Sequence, residues 1–200
     1  MKRVLLILLM LVLPAQAQDP ALQNAVSKAL AGRTVSELKV SGNWAVCQWE
    51  MSEAGGMALF HRTGKKWELA QSGGGAMGQG ELAILGVPPK DRERLMPALG
   101  AEEKARVAEV LREPQWTWLT RKKRLTDEDL EYYTAWELTL IRNEIFALHG
   151  RPFTDPELKA YFHELPWYKV RPGFKESDLS ELERSNVSFI SSYQKRTGKI

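Results

Sequence analysis

The stretch from Leu138 to Gly150 constrains the fold more than any other part of the chain. Apolar residues recur in it at steps of three and four, the spacing of one face of an α-helix. These residues are Leu138, Ile141, Ile145 and Leu148. The glycine that follows is typical of the left-handed residue that ends many helices. The spacing therefore predicts a helix that buries one side and stops at Gly150, with Arg142, Asn143 and Glu144 in its middle.

Two further helices are predicted around this one. Thr126 is a good N-cap, and the acidic residues 127–129 favour the positive end of the helix dipole, so the first helix is expected to open there. A second helix is expected to begin around Asp155-Pro156 and to end before Pro166. A third is expected to start near Ser177 and to end close to Gly198. Residues 125–200 should therefore form an all-α, three-helix domain.

Several motifs in this region recur in a recognisable order. They are Leu125-Thr126, Arg142-Asn143-Glu144-Ile145-Phe146-Ala147-Leu148-His149-Gly150, Tyr161-Phe162 and Pro166-Trp167-Tyr168. Over about residues 125–194 the chain resembles the YARHG domain. The resemblance implies an extracytoplasmic bacterial helical domain and carries no established chemistry. In the motif that names the family, Phe146 stands for Tyr and Leu148 for Arg.

The candidate structural or binding motif comprises eight residues: Arg142, Asn143, Glu144, Phe146, His149, Gly150, Trp167 and Tyr168. Arg142 and His149 are seven residues apart and share one helix face. A charged group among apolar neighbours must be paired or must reach water. We therefore expect Arg142 or Asn143 to bond to backbone carbonyls or to a carboxylate, with Glu144 and Glu183 as candidates, and to brace the three helices. Ligand recognition and catalysis by the same residues remain alternatives.

The N-terminus predicts export. Lys2 and Arg3 precede the unbroken apolar run from Val4 to Leu13, and the small residues of Ala15-Gln16-Ala17 follow. This is the pattern of a secretory signal peptide over residues 1–17, cleaved near Ala17. The protein is thus expected in the periplasm or outside the cell. An uncleaved membrane anchor is the alternative, but ten apolar residues are fewer than the roughly 20 that a bilayer span needs.

Residues 18–100 are predicted to form a small α+β module. Asp19-Pro20 is a good helix start. Strand-like runs separated by turn-forming residues then predict an antiparallel sheet with flanking helices. These runs are 34–40, 44–51, 56–62 and 66–71. The Gly-rich run 72–80 lacks the spacing of a phosphate-binding loop and is interpreted as a mobile connector. Weak helices are expected at 81–85 and 89–99.

Residues 101–124 are predicted to be a polar helix followed by a linker. The linker contains Trp116, Trp118 and the basic run 121–124. A solvated face is the simplest interpretation of that run, and contact with an anionic envelope polymer is the sharper one. The formal net charge of +3 falls to +1 once Lys2 and Arg3 are removed with the signal peptide. Together with export, this argues against nucleic acid as a partner.

No catalytic, cofactor or metal site is predicted. The single cysteine, Cys47, cannot form an internal disulfide and is expected to be a buried thiol. The three histidines, His61, His149 and His163, lie in different predicted elements. His163 lacks the second histidine of a zinc-protease helix. Glu144 and Glu164 are residue types that could form an acid–base pair, but no pattern places them together.

Three functions remain open. The first is a non-catalytic envelope protein that binds a cell-wall or surface component through its C-terminal module, using aromatic side chains such as Trp116, Trp118, Trp167 and Tyr168. The second is a periplasmic protein–protein adaptor that uses the sheet or the Trp-rich linker. The third is a hydrolase that uses Glu144 or His149, which requires both groups to meet at an open cleft. No membrane span is expected in the mature chain.

Overall fold

The computed structural model describes residues 19–96 and 100–200. The predicted signal peptide and its cleavage site lie outside these residues. Helix α1 (Pro20–Ala29) leads into a four-stranded sheet of β1 (Thr34–Ser41), β2 (Trp44–Met51), β3 (Ala54–Thr63) and β4 (Lys66–Gly74). Helices α2 (Gln79–Ile84), α3 (Pro89–Leu95) and α4 (Ala101–Val110) follow. The C-terminal region contains α5 (Thr117–Thr120), α6 (Ala135–Ala147), α7 (Pro156–Glu164) and α8 (Glu181–Thr197). The predicted α+β fold class is confirmed.

The sheet is an antiparallel meander in the order β1-β2-β3-β4. The turns at Gly42-Asn43 and Gly64-Lys65 fall where the turn-forming residues predict them. The turn between β2 and β3 is at Ser52-Glu53, earlier than predicted, because β3 already begins at Ala54. The predicted start of α1 is also confirmed, because the Asp19 side chain accepts the N–H of Ala21 at 2.9 Å and Pro20 occupies the first turn. The Gly-rich run is partly ordered, since β4 continues to Gly74 and α2 begins at Gln79.

Each face of the sheet carries its own apolar core. On one face, Leu22 and Val26 of α1 pack against Ala45, Cys47 and Trp49. On the other face, residues of α2 and α3 pack against Trp44, Val46 and Leu59. Because side chains of a strand alternate between faces, β2 contributes to both cores, which explains why its residues are nearly all apolar.

The C-terminal helices enclose a third core around α6. The first predicted helix start, at Thr126, is wrong. Thr126 instead closes a local turn, in which its N–H and hydroxyl both donate to Asp129. The helix begins nine residues later, because Thr134 and Glu137 form a capping box. The third helix likewise starts later than expected, with Ser180 as its N-cap, and it ends at left-handed Gly198 as predicted.

The segment 115–124, predicted as a linker, packs into this third core. Trp116, Leu119 and Leu125 are buried there. The segment is held from α8 as well, because the Asn186 side chain donates to the carbonyls of Thr120 and Lys123 and accepts the N–H of Leu125. This stretch is therefore part of the helical unit in the structure.

Candidate functional site

Glu144 lies at the centre of the helical core and has no accessible surface. Its two carboxylate oxygens accept the backbone N–H groups of Gln115 and Trp116, at 2.7 and 2.8 Å. Burial raises the pKa of Glu144 to about 7, although the two N–H groups oppose that rise. The carboxylate thus fastens the segment before α5 to the middle of α6. Since both oxygens are occupied and shielded, Glu144 has no path to a substrate in this conformation.

His149 is anchored to α8. Its Nε2 atom lies 3.0 Å from a carboxylate oxygen of Glu183, which is itself buried. The same carboxylate receives Nε of Arg121 at 3.2 Å and the N–H of Ser180 at 2.8 Å. Burial would raise the pKa of Glu183, but the hydrogen bonds from His149 and Ser180 outweigh it and lower the pKa. One carboxylate therefore joins the end of α6, the start of α8 and the segment after α5.

Arg142 contacts a different group from those that the sequence favoured, whereas Asn143 does not depart from the prediction. Arg142 donates to the side-chain carbonyl of Gln194 at 3.0 Å, so its partner on α8 is an amide and neither Glu144 nor Glu183. The reason is that α6 and α8 run antiparallel, which brings Glu183 to the end of α6 and Gln194 to its middle. Asn143 donates to the carbonyl of Thr139 in its own helix at 2.8 Å, a backbone contact of the predicted kind.

Gly150 ends the α6 region in the left-handed conformation, with φ at +75°. Its carbonyl accepts the N–H of Arg171 at 2.8 Å. A side chain could not fit here, since a Cβ atom on Gly150 would lie 2.7 Å from both the Cβ of Arg171 and the carbonyl oxygen of Lys169. Gly150 is thus required by its backbone angle and by the close approach of a second segment.

Two of the remaining motif aromatics, Tyr168 and Trp167, pack against Phe162 of α7. Tyr168 is buried, and its hydroxyl donates to the carbonyl of Arg151 at 2.5 Å. The half-buried ring of Trp167 contacts Phe162 edge-on. Phe146 is buried beneath the guanidinium of Arg151, which lies 4.4 Å from its ring centroid.

Residues 115–195 match the family model of the YARHG domain. We refer to the C-terminal helical region that contains this match as the YARHG domain. The match includes every residue of the candidate motif and begins ten residues before the stretch whose motifs resemble the family. It starts at the residue whose N–H is held by Glu144. This domain is consistent with an extracellular or periplasmic module.

Two other comparisons add no relative. Neither the curated proteins nor the solved structures include a match to this chain. In the described residues, no helix combines the length and the apolar character that crossing a membrane requires. Those same residues hold no group of three or more His, Cys, Asp or Glu side chains arranged to bind a metal ion.

The basic run at the start of the YARHG domain is largely neutralised by its own surroundings. Lys123 pairs with Asp129 at 2.6 Å, and Arg124 pairs with Glu181 at 2.8 Å. Arg121 pairs with Glu183, as described above. The run therefore presents much less positive charge than its sequence indicates. Of the two tryptophans beside it, Trp116 is buried and Trp118 is 57% exposed.

The YARHG domain packs directly against the N-terminal sheet. The imidazole of His61 on β3 packs against the rings of Trp44 and Trp136, with centroid distances of 4.4 and 4.2 Å. Its Nε2 atom lies 3.2 Å from both carboxylate oxygens of Glu157 on α7. Asn43 donates to the same carboxylate at 2.9 Å. No sequence pattern marked His61 or Glu157, because their partnership spans 96 residues.

A second set of contacts joins α7 to the helices after the sheet. Buried Arg92 of α3 forms a bidentate ion pair with Glu164 and also donates to the carbonyl of Val87 at 2.7 Å. Tyr161 donates to the carbonyl of Ile84 at 3.2 Å. Glu164 is thus engaged by Arg92 and Glu144 by backbone N–H groups, so the two carboxylates do not form a pair with each other.

Cys47 is fully buried on the α1 face of the sheet and has no disulfide partner. Burial raises the pKa of its thiol to about 11, which keeps it protonated and unreactive at neutral pH. Ala45 and Trp49 of the same strand lie in the same core, whereas Met51 is 48% exposed.

Proposed function

We propose that this protein is a non-catalytic, exported envelope protein whose YARHG domain binds an anionic cell-wall or surface component. Arg142 and Arg151 are the cations that receive it. The observation that carries this proposal is that these two neighbouring, half-buried side chains have no carboxylate partner among the described residues, whereas four other arginines of the helical region are held in ion pairs. The exposed Arg184 also lacks a carboxylate partner, but it donates to the carbonyl of Leu179.

The paired arginines of the domain have carboxylates beside them. Arg121, Arg124, Arg171 and Arg196 pair with Glu183, Glu181, Asp178 and Asp127. Arg142 and Arg151 are half-buried, and among the described residues neither has a carboxylate within ion-pair distance. Within the part of the chain that the structure describes, Arg142 bonds only to the Gln194 amide, and Arg151 lies over the ring of Phe146.

The two guanidiniums lie close to each other. Phe146 follows Arg142 by one helical turn, so the ring beneath Arg151 is also the neighbour of Arg142. Burial lowers the pKa of Arg142, and the positive charge of Arg151 lowers it further. Two partly desolvated cations without a counter-charge favour an anionic ligand, and guanidiniums suit carboxylate and phosphate groups.

The geometry of the acidic groups supports a non-catalytic role. A hydrolase that uses Glu144 and His149 needs both groups at an open cleft. Glu144 is instead buried on backbone N–H groups, and His149 is bonded to Glu183. The hydrolase alternative therefore loses the acid on which it depended.

Co-sedimentation with insoluble peptidoglycan tests the binding proposal. The purified protein is expected to sediment with the polymer at low salt and to be released as salt is raised, because exposed charge pairs are screened. An R142Q/R151Q double variant is expected to lose about tenfold in affinity or more. A K122Q/K175Q variant removes the same charge from exposed positions of the domain and is the matched control.

The proposal fails if the parent protein remains in the supernatant at low salt. It also fails if the control variant loses as much binding as R142Q/R151Q, because binding would then follow net charge and not this site. Thermal unfolding of each variant separates lost binding from lost folding. Cell fractionation, with mass analysis of the mature N-terminus, tests export and cleavage near Ala17 independently.

A protein–protein adaptor is the second candidate, and the exposure of Trp118 favours it. A large aromatic side chain that is 57% exposed beside a helical core is typical of contact surfaces. Replacing Trp118 by a photo-crosslinking amino acid should capture a partner protein in cells. Tyr132, which is 89% exposed, is the matched control position in the same domain.

A further inference from the structure

An apolar groove remains open on the α1 face of the sheet. Four strands span about 19 Å, whereas one helix covers about 10 Å. Helix α1 packs mainly on β4, so the β1 side of this face is left uncovered. The result is a cavity of about 610 Å³ between the C-terminal half of α1 and the first half of β1. Its volume lies in the usual range for ligand pockets.

The floor of the groove is apolar. Val26 and Leu30 line it from the helix, and Val35 and Leu38 line it from the strand. All four also belong to, or pack against, the core on this face. An apolar side chain placed in the groove would therefore extend a core that is already present.

Arg33 provides a cation at the end of this floor. Its guanidinium lies over the indole ring of Trp49, at 4.6 Å from the ring centroid. One nitrogen donates to the carbonyl of Ala29 at 3.3 Å, while Nε is buried and has no hydrogen-bond partner. Among the described residues, Arg33 has no carboxylate partner. A fixed cation with no carboxylate partner favours a carboxylate as the occupant.

The rest of the lining favours a peptide over a fatty acyl chain. Ser27 and Ser36 place hydroxyl groups along the rim, and the exposed carboxylate of Glu37 is a further acceptor there, so peptide amide groups could bond where an alkyl chain could not. Strand β1 is an edge of the sheet and pairs only with β2. Its register shifts between Ser36 and Lys39, and Glu37 has φ at +50°. Such a bulge opposes the addition of a full strand, which leaves room for the end of a chain.

We propose that the groove between α1 and β1 binds the C-terminus of a peptide, with an apolar last side chain on the floor and the terminal carboxylate on Arg33. This site lies in the sheet module and is independent of the function proposed for the YARHG domain. It gives the N-terminal half a role as a receptor for chain ends.

Nuclear magnetic resonance of the isotope-labelled protein tests the proposal with three probes. They are the peptide Gly-Ser-Thr-Ala-Leu with a free C-terminus, the same peptide with an amidated C-terminus, and dodecanoate. The free-acid peptide should shift the amide signals of residues 26–38, and amidation should weaken its binding about tenfold or more. Dodecanoate should leave these signals unchanged.

Variants locate the contacts. Arg33→Gln is expected to weaken binding of the free-acid peptide about as much as amidation of the peptide does. Ser27→Trp should block the groove. Lys28→Gln and Asn24→Trp make the same chemical changes on α1 outside the groove, beside Lys66 and Trp67, and should bind normally. The proposal is overturned if millimolar free-acid peptide shifts no groove signal, if acid and amide bind equally, or if dodecanoate binds in the peptide's place.

Discussion

The imidazole of His61 and the carboxylate of Glu157 meet at 3.2 Å across the boundary between the sheet and the YARHG domain. The His61 side chain is almost fully buried, with 4% exposed, and Glu157 retains 30%. The rings of Trp44 and Trp136 both pack against the imidazole. This contact makes the two halves interdependent, and it leads to the first prediction.

Glu157→Gln should destabilise the whole chain by about 1–3 kcal/mol, because it weakens the bonds that buried His61 and Asn43 make to one carboxylate. Burial would raise the pKa of Glu157, but the hydrogen bonds from His61 and Asn43 outweigh it and lower the pKa. The parent should therefore lose this contribution only as pH falls below about 4.5, whereas the variant lacks it throughout. Urea unfolding at neutral and acidic pH measures both. An unchanged midpoint at neutral pH would contradict the interdependence of the halves.

The raised pKa of Glu144 predicts that its contribution to stability depends on pH in the opposite sense to that of Glu157, and over a different pH range. Its pKa is raised to about 7 in the folded chain, so the folded chain binds this proton more tightly than the unfolded chain. The contribution of Glu144 to stability should fall as pH rises from about 4.5 to about 7, by at most about 3 kcal/mol. Glu144→Gln removes the titration, so its unfolding free energy relative to the parent should change between about pH 5 and about pH 8. Exposed Glu93→Gln is the control, and a parallel pH profile for Glu144→Gln would count against the assignment.

Substituting Glu183 should destabilise the protein more than substituting His149, although the two residues form one contact. Glu183→Ala leaves His149, Arg121 and the N-cap of α8 without their shared carboxylate, and about 3 kcal/mol of stability should be lost. His149→Gln leaves the carboxylate with its other two partners, and a loss of about 1 kcal/mol is expected. Thermal unfolding of both variants gives the order. If His149→Gln unfolds like the parent yet abolishes a cellular phenotype, the histidine acts on a ligand and is not a brace.

Gly150→Ala should cost about 2–4 kcal/mol, because it adds a left-handed backbone penalty to a clash with the segment around Arg171. Gly198 is a matched control within the same domain. Its φ is +71°, but a Cβ there would have no heavy atom within 4 Å. Gly198→Ala should therefore cost only about 1 kcal/mol. Equal losses in the two variants would show that the close approach of Arg171 does not matter.

Local signals explain why much of the fold could be predicted from the sequence. The strands were predictable because each turn between them holds residues that favour turns, and α1 because Asp19 and Pro20 mark a helix start. The first helix of the YARHG domain was placed too early because Thr126 and Asp129 resemble a cap. The capping box of Thr134 and Glu137 was the better signal, since both of its reciprocal bonds are formed.

The partners of the motif residues could not be predicted in the same way. Their pairing depends on how α6 and α8 align, which the helical period alone does not determine. That alignment places Glu183 beside His149 and Gln194 beside Arg142. The role of Glu144 was missed for a further reason, since its partners are backbone N–H groups and no side-chain pattern reveals them. No side-chain pattern reveals the groove beside α1 either, because the groove exists only where one helix is narrower than the sheet that it covers.

Glu144 holds the start of the YARHG domain through main-chain groups alone, so it makes no demand on the side chains of Gln115 and Trp116. Every amino acid except proline supplies such a group. Substitution at these two positions should therefore leave the hydrogen bonds to Glu144 intact, whereas a proline at either position would remove one of them. A recombinant fragment that begins after Trp116 would leave the buried carboxyl group of Glu144 without hydrogen-bond donors. Useful truncations must therefore start before Gln115.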